Sequence, residues 1–195
     1  SISAIAEFDE EDRDGFIGTN YTMYSFISLV ICSGLLIINI PLASFLYKGK
    51  YFMAWRCVPF LLLGTVFSGI SQFEGALFAA TQNTKLVAKT TVIGAMVNTI
   101  CNFIFIYFCG ALGAAFATFL GYITTWGLRT KYLQQFVKMK VEWKTQFVTI
   151  IIVFIQACLS MMQEYLFLQI ALLCVVIILN RNLIAPIIYK ILKTV

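Results

Sequence analysis

Ionisable groups inside apolar runs are the rarest chemistry in this sequence, and Glu74 is the clearest case. No other charge stands between Arg56 and Lys85, and Gln72 lies two residues before it. A carboxylate in such a place is costly in a bilayer, which makes it a candidate for a proton or cation relay, or for contact with a polar substrate group. The plainer alternative puts it near the end of its segment, wetted or paired with a nearby lysine. Asn98 and Asn102, four apart, share one face of a helix. They can line a cavity or bond across to another helix, and the second is the commoner use of such residues. Glu164 reads as a solvated turn residue. Arg181, between Asn180 and Asn182, reads as an anchor whose stem stays in apolar surroundings while its head reaches the boundary. The chain has no His, the commonest general base and metal ligand. Its six Cys show no CxxC or zinc-like spacing and mostly fall in apolar runs, where thiols act as small hydrophobes. No metal site and no catalytic constellation is therefore expected. A membrane glycosyl- or acyltransferase, the enzyme alternative, would carry spaced carboxylates or histidine motifs at the membrane face.

The elements that must hold these residues follow from composition. Of 195 residues, 61% are hydrophobic and 12% charged, with a mean hydropathy of +0.89. A soluble domain carries ~25% charged residues. Charges are absent between Asp14 and Lys48, between Lys89 and Arg129, and between Lys144 and Glu164. Only helices and closed barrels satisfy every backbone group in a bilayer, and these runs lack the alternation of barrel strands. The expectation is an all-α polytopic membrane protein of about six spans.

The first span is expected at about Tyr24–Tyr47, kinked near its far end by Pro41. The second covers Cys57–Ala80. The charge-free stretch from Thr90 to Leu128 exceeds the ~20 residues of one span, so a turn at Cys109–Gly113 divides it into a third and a fourth. The fifth is Phe147–Gln163 and the sixth runs from Tyr165 to about Asn180–Asn182, with Leu183–Leu192 along the surface. Domain boundaries follow: residues 1–22 as a solvated acidic connector, 23–128 as four helices, 129–145 as a basic linker, and 146–195 as two helices and a basic C-terminus. Small residues recur every fourth position as Ser71, Gly75 and Ala79, and again as Gly113, Ala117 and Gly121. Such stripes let helices approach closely. Tyr47, Tyr51, Trp55, Trp126, Tyr132 and Trp143 are expected in the aromatic belts at the two boundaries.

Orientation follows from Lys and Arg on alternate sides. One side holds Arg13, Lys85, Lys89, Arg129, Lys131, Lys138, Lys140, Lys144, Arg181, Lys190 and Lys193, eleven of the 14 cations; the other holds Lys48, Lys50 and Arg56. Both ends are therefore expected on the cytoplasmic side. Cations confined to membrane boundaries also give no reason to expect a nucleic-acid partner.

Three runs carry a family resemblance: FEGALFAATQNTK (Phe73–Lys85), VNTICNFIFIYF (Val97–Phe108) and GALGAAFATFLGY (Gly110–Tyr122). They resemble the polysaccharide flippases of the multidrug/oligosaccharidyl-lipid/polysaccharide exporter superfamily. Asn98 and Asn102 match that family's asparagine pair, while Gly110, Gly113, Ala114, Ala115, Ala117 and Thr118 match its GxxGAAxAT helix. The acidic connector and YFMAWRCVPF (Tyr51–Phe60) resemble the sequence around its ninth helix. The resemblance implies helices nine to fourteen of a two-lobe transporter of roughly fourteen, in a bacterial cytoplasmic membrane, with the N-terminal helices lying outside this chain. It implies transfer of polyprenyl-pyrophosphate-linked oligosaccharide between leaflets for surface polysaccharide such as O-antigen. It further implies no bound cofactor, coupling to a proton or sodium gradient, and association with a polysaccharide polymerase. In such transporters cationic cavity residues meet the pyrophosphate, yet no Arg or Lys stands centrally in the expected spans. A drug/cation antiporter or a lipid II flippase of the same superfamily is the alternative.

Overall fold

The computed structural model describes residues 12, 15–46, 49–162, 165–181 and 183. Glu164, Lys48, Asn182 and the segment 184–192 lie outside the described residues. Among those described, every regular element is helical: α1 (Phe16–Ile37), α2 (Asn39–Leu46), a 3-10 segment (Gly49–Arg56), α3 (Val58–Ala80), α4 (Thr84–Cys109), α5 (Ala111–Leu133), α6 (Trp143–Ser160) and α7 (Leu166–Leu179). Five of them, α1 and α3 to α6, are long and apolar enough to cross a membrane, and α7 is a shorter apolar helix. The chain is an all-helical polytopic membrane protein of about six spans.

The breaks between elements have local causes. Proline at 41 has no N–H to give the Ile37 carbonyl, and its ring would crowd that carbonyl; α1 ends at Ile37, and α2 restarts at Asn39. Gly110, at φ +56°, makes the turn between α4 and α5 at the position expected for it. Asp12 departs from the expected solvated connector. It is only 2% exposed, and its carboxylate accepts the Ile17 and Gly18 N–H groups at 2.9 Å each and the Lys140 N–H at 3.2 Å. It thus satisfies the free donors of the first turn of α1, and the helix begins at Phe16, inside the span assigned to the connector.

Helix α5 is the middle of the bundle: α4 packs along one side of it and α3 along another, while α3 and α4 touch little. Helix α1 lies against α6, α3 and α7. Phe67, Phe119 and Trp126 bury the seam between α3 and α5, extended by Phe60, Phe116 and Phe154. Two of the expected belt aromatics are covered by protein. Trp55 is buried, with its carbonyl taken by Asn39, and Trp126 is buried against Phe67. Their indoles have enough neighbouring side chains to be covered by protein. Between α1, α6 and α7, Gln156 accepts the Ser33 hydroxyl at 2.6 Å and donates to the Ser33 and Gln169 carbonyls.

Candidate functional site

The antiparallel run of helices brings the start of α1, the end of α3, the start of α4, the end of α5 and the start of α6 to one end of the bundle. Glu74 lies six residues before the end of α3, and Arg129 four before the end of α5. At ~1.5 Å per residue both are roughly 6–9 Å inside those ends. Glu74 is 0% exposed. Its Oε1 accepts from the Tyr21 hydroxyl at 3.4 Å and from the Thr130 hydroxyl, while its Oε2 has no partner. The Trp126 indole N–H donates to the Tyr21 oxygen at 3.0 Å, so a chain of bonds runs from α5 through α1 to α3. Neither a solvated carboxylate nor one paired with a lysine describes Glu74.

The nearest buried cation is Arg129, whose guanidinium bonds to Ser71, one turn before Glu74 on α3. The sequence assigns Arg129 to the basic linker, but α5 carries on past it to Leu133 and leaves the side chain 7% exposed. The guanidinium donates to the Ser71 carbonyl, to the Thr90 hydroxyl at 3.2 Å and to the Thr91 hydroxyl at 2.9 Å. It therefore ties α3, α5 and α4 together, with the planar fork that lysine lacks. The helix thus extends past the expected boundary and takes in Arg129 near its end, away from the centre of the span. Lys85 and Lys89, expected in a loop, belong to the first turns of α4, where the turn Thr81–Asn83 is too short to hold them. Lys89 sits over the Tyr132 ring at 5.6 Å.

Because α3 and α4 diverge across α5, a cleft of about 340 Å³ opens between them. Gln72 and Ser71 line it from α3, Thr91 and Asn98 from α4, and Thr125 and Arg129 from α5. Gln72 is exposed and donates to Ser68 at 3.5 Å, and the Ser71 hydroxyl is buried with no partner. Of the expected site residues, the structure thus gathers Gln72 and Asn98 at the cleft and puts Glu74 one turn beyond Ser71. Asn102 lies further along α4, where it donates to Asn98. This bond is within one helix, so the asparagine pair does not bridge helices as expected, although the Asn98 backbone and Cβ pack close to Gly121 of α5.

The small-residue stripes also differ. Gly113, Ala117 and Gly121 are all buried. A side chain at Gly113 would run into the Phe105 backbone, and one at Gly121 would come within 2.8 Å of the Asn98 Cβ. Gly94 of α4 completes that approach, since a side chain there would strike Thr125 and the Gly121 carbonyl. The sequence reading missed Gly94 because it stands in no fourfold stripe. On α3, Ser71 is buried and a Cβ on Gly75 would meet the Arg129 guanidinium at 3.2 Å, but Ala79 is exposed and leaves the seam. Small size at 75 makes room for arginine rather than for a helix.

A helical membrane protein with two buried ionisable residues, Glu74 and Arg129, and a polar lateral cleft is the class these features define. No protein-family model, curated protein or solved structure matches the chain.

Proposed function

We propose that this chain is the C-terminal part of an alternating-access flippase for polyprenyl-pyrophosphate-linked oligosaccharide. The cleft between α3 and α4 would form part of the wall of its substrate path. The observation that carries the proposal is the cleft. Lipid chains cannot hydrogen-bond the amides of Gln72 and Asn98 or the hydroxyl of Thr91, which line it, so such a surface calls for water or protein opposite it. A second lobe facing this one across a hydrated cavity meets that need, in line with the motif resemblance. Arg129 is the cation suited to a pyrophosphate entering from the basic end, because a guanidinium binds phosphate through paired N–H groups. Its location at the cleft's end marks an entry contact rather than a central one. The same reading places both termini on the cytoplasmic side of a bacterial inner membrane, with the polysaccharide polymerase as a partner.

A photoreactive amino acid at Asn98, in cells making the lipid-linked sugar, should capture that lipid. The same residue at Ile104, on the exposed side of α4, should not. Equal capture at both positions would remove the cleft from the path. Glu74 favours a second reading, the drug/cation antiporter, because a buried carboxylate with one idle oxygen can carry a proton or a cation. Drug efflux that depends on Glu74, with no lipid captured at Asn98, would decide for it.

A further inference from the structure

A second pocket, of about 210 Å³ and sharing no residue with the cleft, lies at the polar end among α1, α6 and α7. Three observations give it chemistry. It surrounds the opening turn of α6, an 18-residue helix whose N-cap residue, Glu142, makes no side-chain bond to the turn's N–H groups. Peptide dipoles and free N–H groups there favour an anion. Gln146, in that turn, lines the pocket; it is 5% exposed, and its Nε2 has no hydrogen-bond partner. A buried amide donor left unmet is costly, so a ligand acceptor here satisfies a standing need. Finally, Lys140 and Glu142 bring opposite charges to the same lining, and both are exposed.

The charge pair narrows the ligand. A lone anion would be drawn to the α6 turn and Lys140 but repelled by the Glu142 carboxylate, and a lone cation would meet the reverse. A group carrying both charges a few ångströms apart fits. The site is at the polar end of the bundle, and the exposed side chains Leu179, which lines it, and Val175, one turn further along α7, lead away from it. The geometry points to a phospholipid headgroup site of the phosphoethanolamine type. The phosphate sits over the first turn of α6 against Gln146 and Lys140, the primary ammonium donates to Glu142, and the acyl chains follow the apolar sides of α6 and α7. Thr145, whose hydroxyl donates to Glu142 at 3.2 Å, holds that carboxylate over the pocket.

The test uses the full chain in mild detergent, with bound lipid counted by native mass spectrometry and thermal stability followed in parallel. The probes are dioleoyl phosphatidylethanolamine, phosphatidylcholine and phosphatidylglycerol, plus water-soluble glycerophosphoethanolamine. The ethanolamine lipid should bind roughly tenfold more tightly than the glycerol lipid, the size of one charge-assisted hydrogen bond. It should also outbind the choline lipid, whose quaternary ammonium has no proton to donate. Glu142→Gln should erase the preference for ethanolamine over glycerol, and Lys140→Gln should weaken all three. Glu142 is exposed, so the lipid-free melting temperature of Glu142→Gln should not move. Equal binding of the three lipids, or a preference that survives Glu142→Gln, would overturn the site. Competition by the soluble headgroup as strong as by the intact lipid would overturn the lipid as its source.

Discussion

At the scale of single residues, the polar end turns on Glu74 and Arg129. Both were taken out of water by packing, and each now depends on groups the other's helix supplies. Each hydrogen bond to a charged group contributes ~1.5–3 kcal/mol. Arg129→Met removes the bonds to Ser71, Thr90 and Thr91 and should lower stability by roughly 3 kcal/mol, read as a loss of melting temperature in detergent. Arg129→Lys should recover little of it, since one ammonium cannot reach the Ser71 carbonyl and the Thr90 and Thr91 hydroxyls as the fork does. The double variant Glu74→Gln/Arg129→Met should be more stable than Arg129→Met alone, because the stranded carboxylate is gone. Additive losses would mean that the two do not work as a pair. Glu74 was legible in the sequence because it stands alone in an apolar run. Arg129 was not, because it is the first of a series of cations, and a hydropathy boundary is naturally drawn there. The signal available was Thr130 and the stripe of small residues on the facing helix, which leave space for a long polar side chain.

At the scale of elements, the order, number and breaks of the helices could be read from charge-free runs, from Pro41 and from the glycine turn, because each has a local cause. Which faces meet could be read only where small residues are regular. The stripe Gly113, Ala117 and Gly121 does face a neighbour, whereas the one ending in Ala79 does not. The closest approach, Gly94 to Gly121, involves one residue from each of two helices; Gly121 belongs to its stripe, whereas Gly94 has no small residue repeating at fourfold spacing to mark it. Gly121→Leu and Gly94→Leu should each cost ~1–3 kcal/mol through forced separation of α4 from α5. Gly113→Leu and Ala117→Leu should behave alike. Ala79→Leu should be close to neutral, since that side chain is exposed. Thermal stability and protease resistance in detergent measure all five. A Gly121→Leu variant as stable as Ala79→Leu would mean that α4 is held by something other than this contact.

For the whole molecule, the even alternation of helices gathers Lys85, Lys89, Lys131, Lys138, Lys140 and Lys144 at one end and leaves Arg56 at the other. Cysteine labelling in a Cys-free background should reach position 56 only from outside and position 85 only from the cytoplasm; the reverse would invert the orientation. The bundle also has an unbalanced surface. Helix α4 buries only Thr90 and Gly94, yet it carries Asn98 and Asn102 partly uncovered and a polar cleft beside them. A stable membrane unit turns such groups inward, so this face is suited to meet another body across a shared cavity. Alternating access requires two bodies that rock about a common site. Residues 1–195 reconstituted alone should therefore not move lipid-linked sugar between leaflets, and transfer should appear once the N-terminal helices implied by the resemblance are supplied. The measurement is leaflet exposure of a labelled polyprenyl-linked sugar in liposomes. On the two-body reading, Asn98→Leu in the completed transporter should slow transfer, because its amide lines the cleft and bonds within α4; a melting temperature that falls in parallel would assign the loss to its close contact with Gly121 instead. Rapid transfer by residues 1–195 alone would refute the two-body reading and point to copies of this chain closing the cavity around one another.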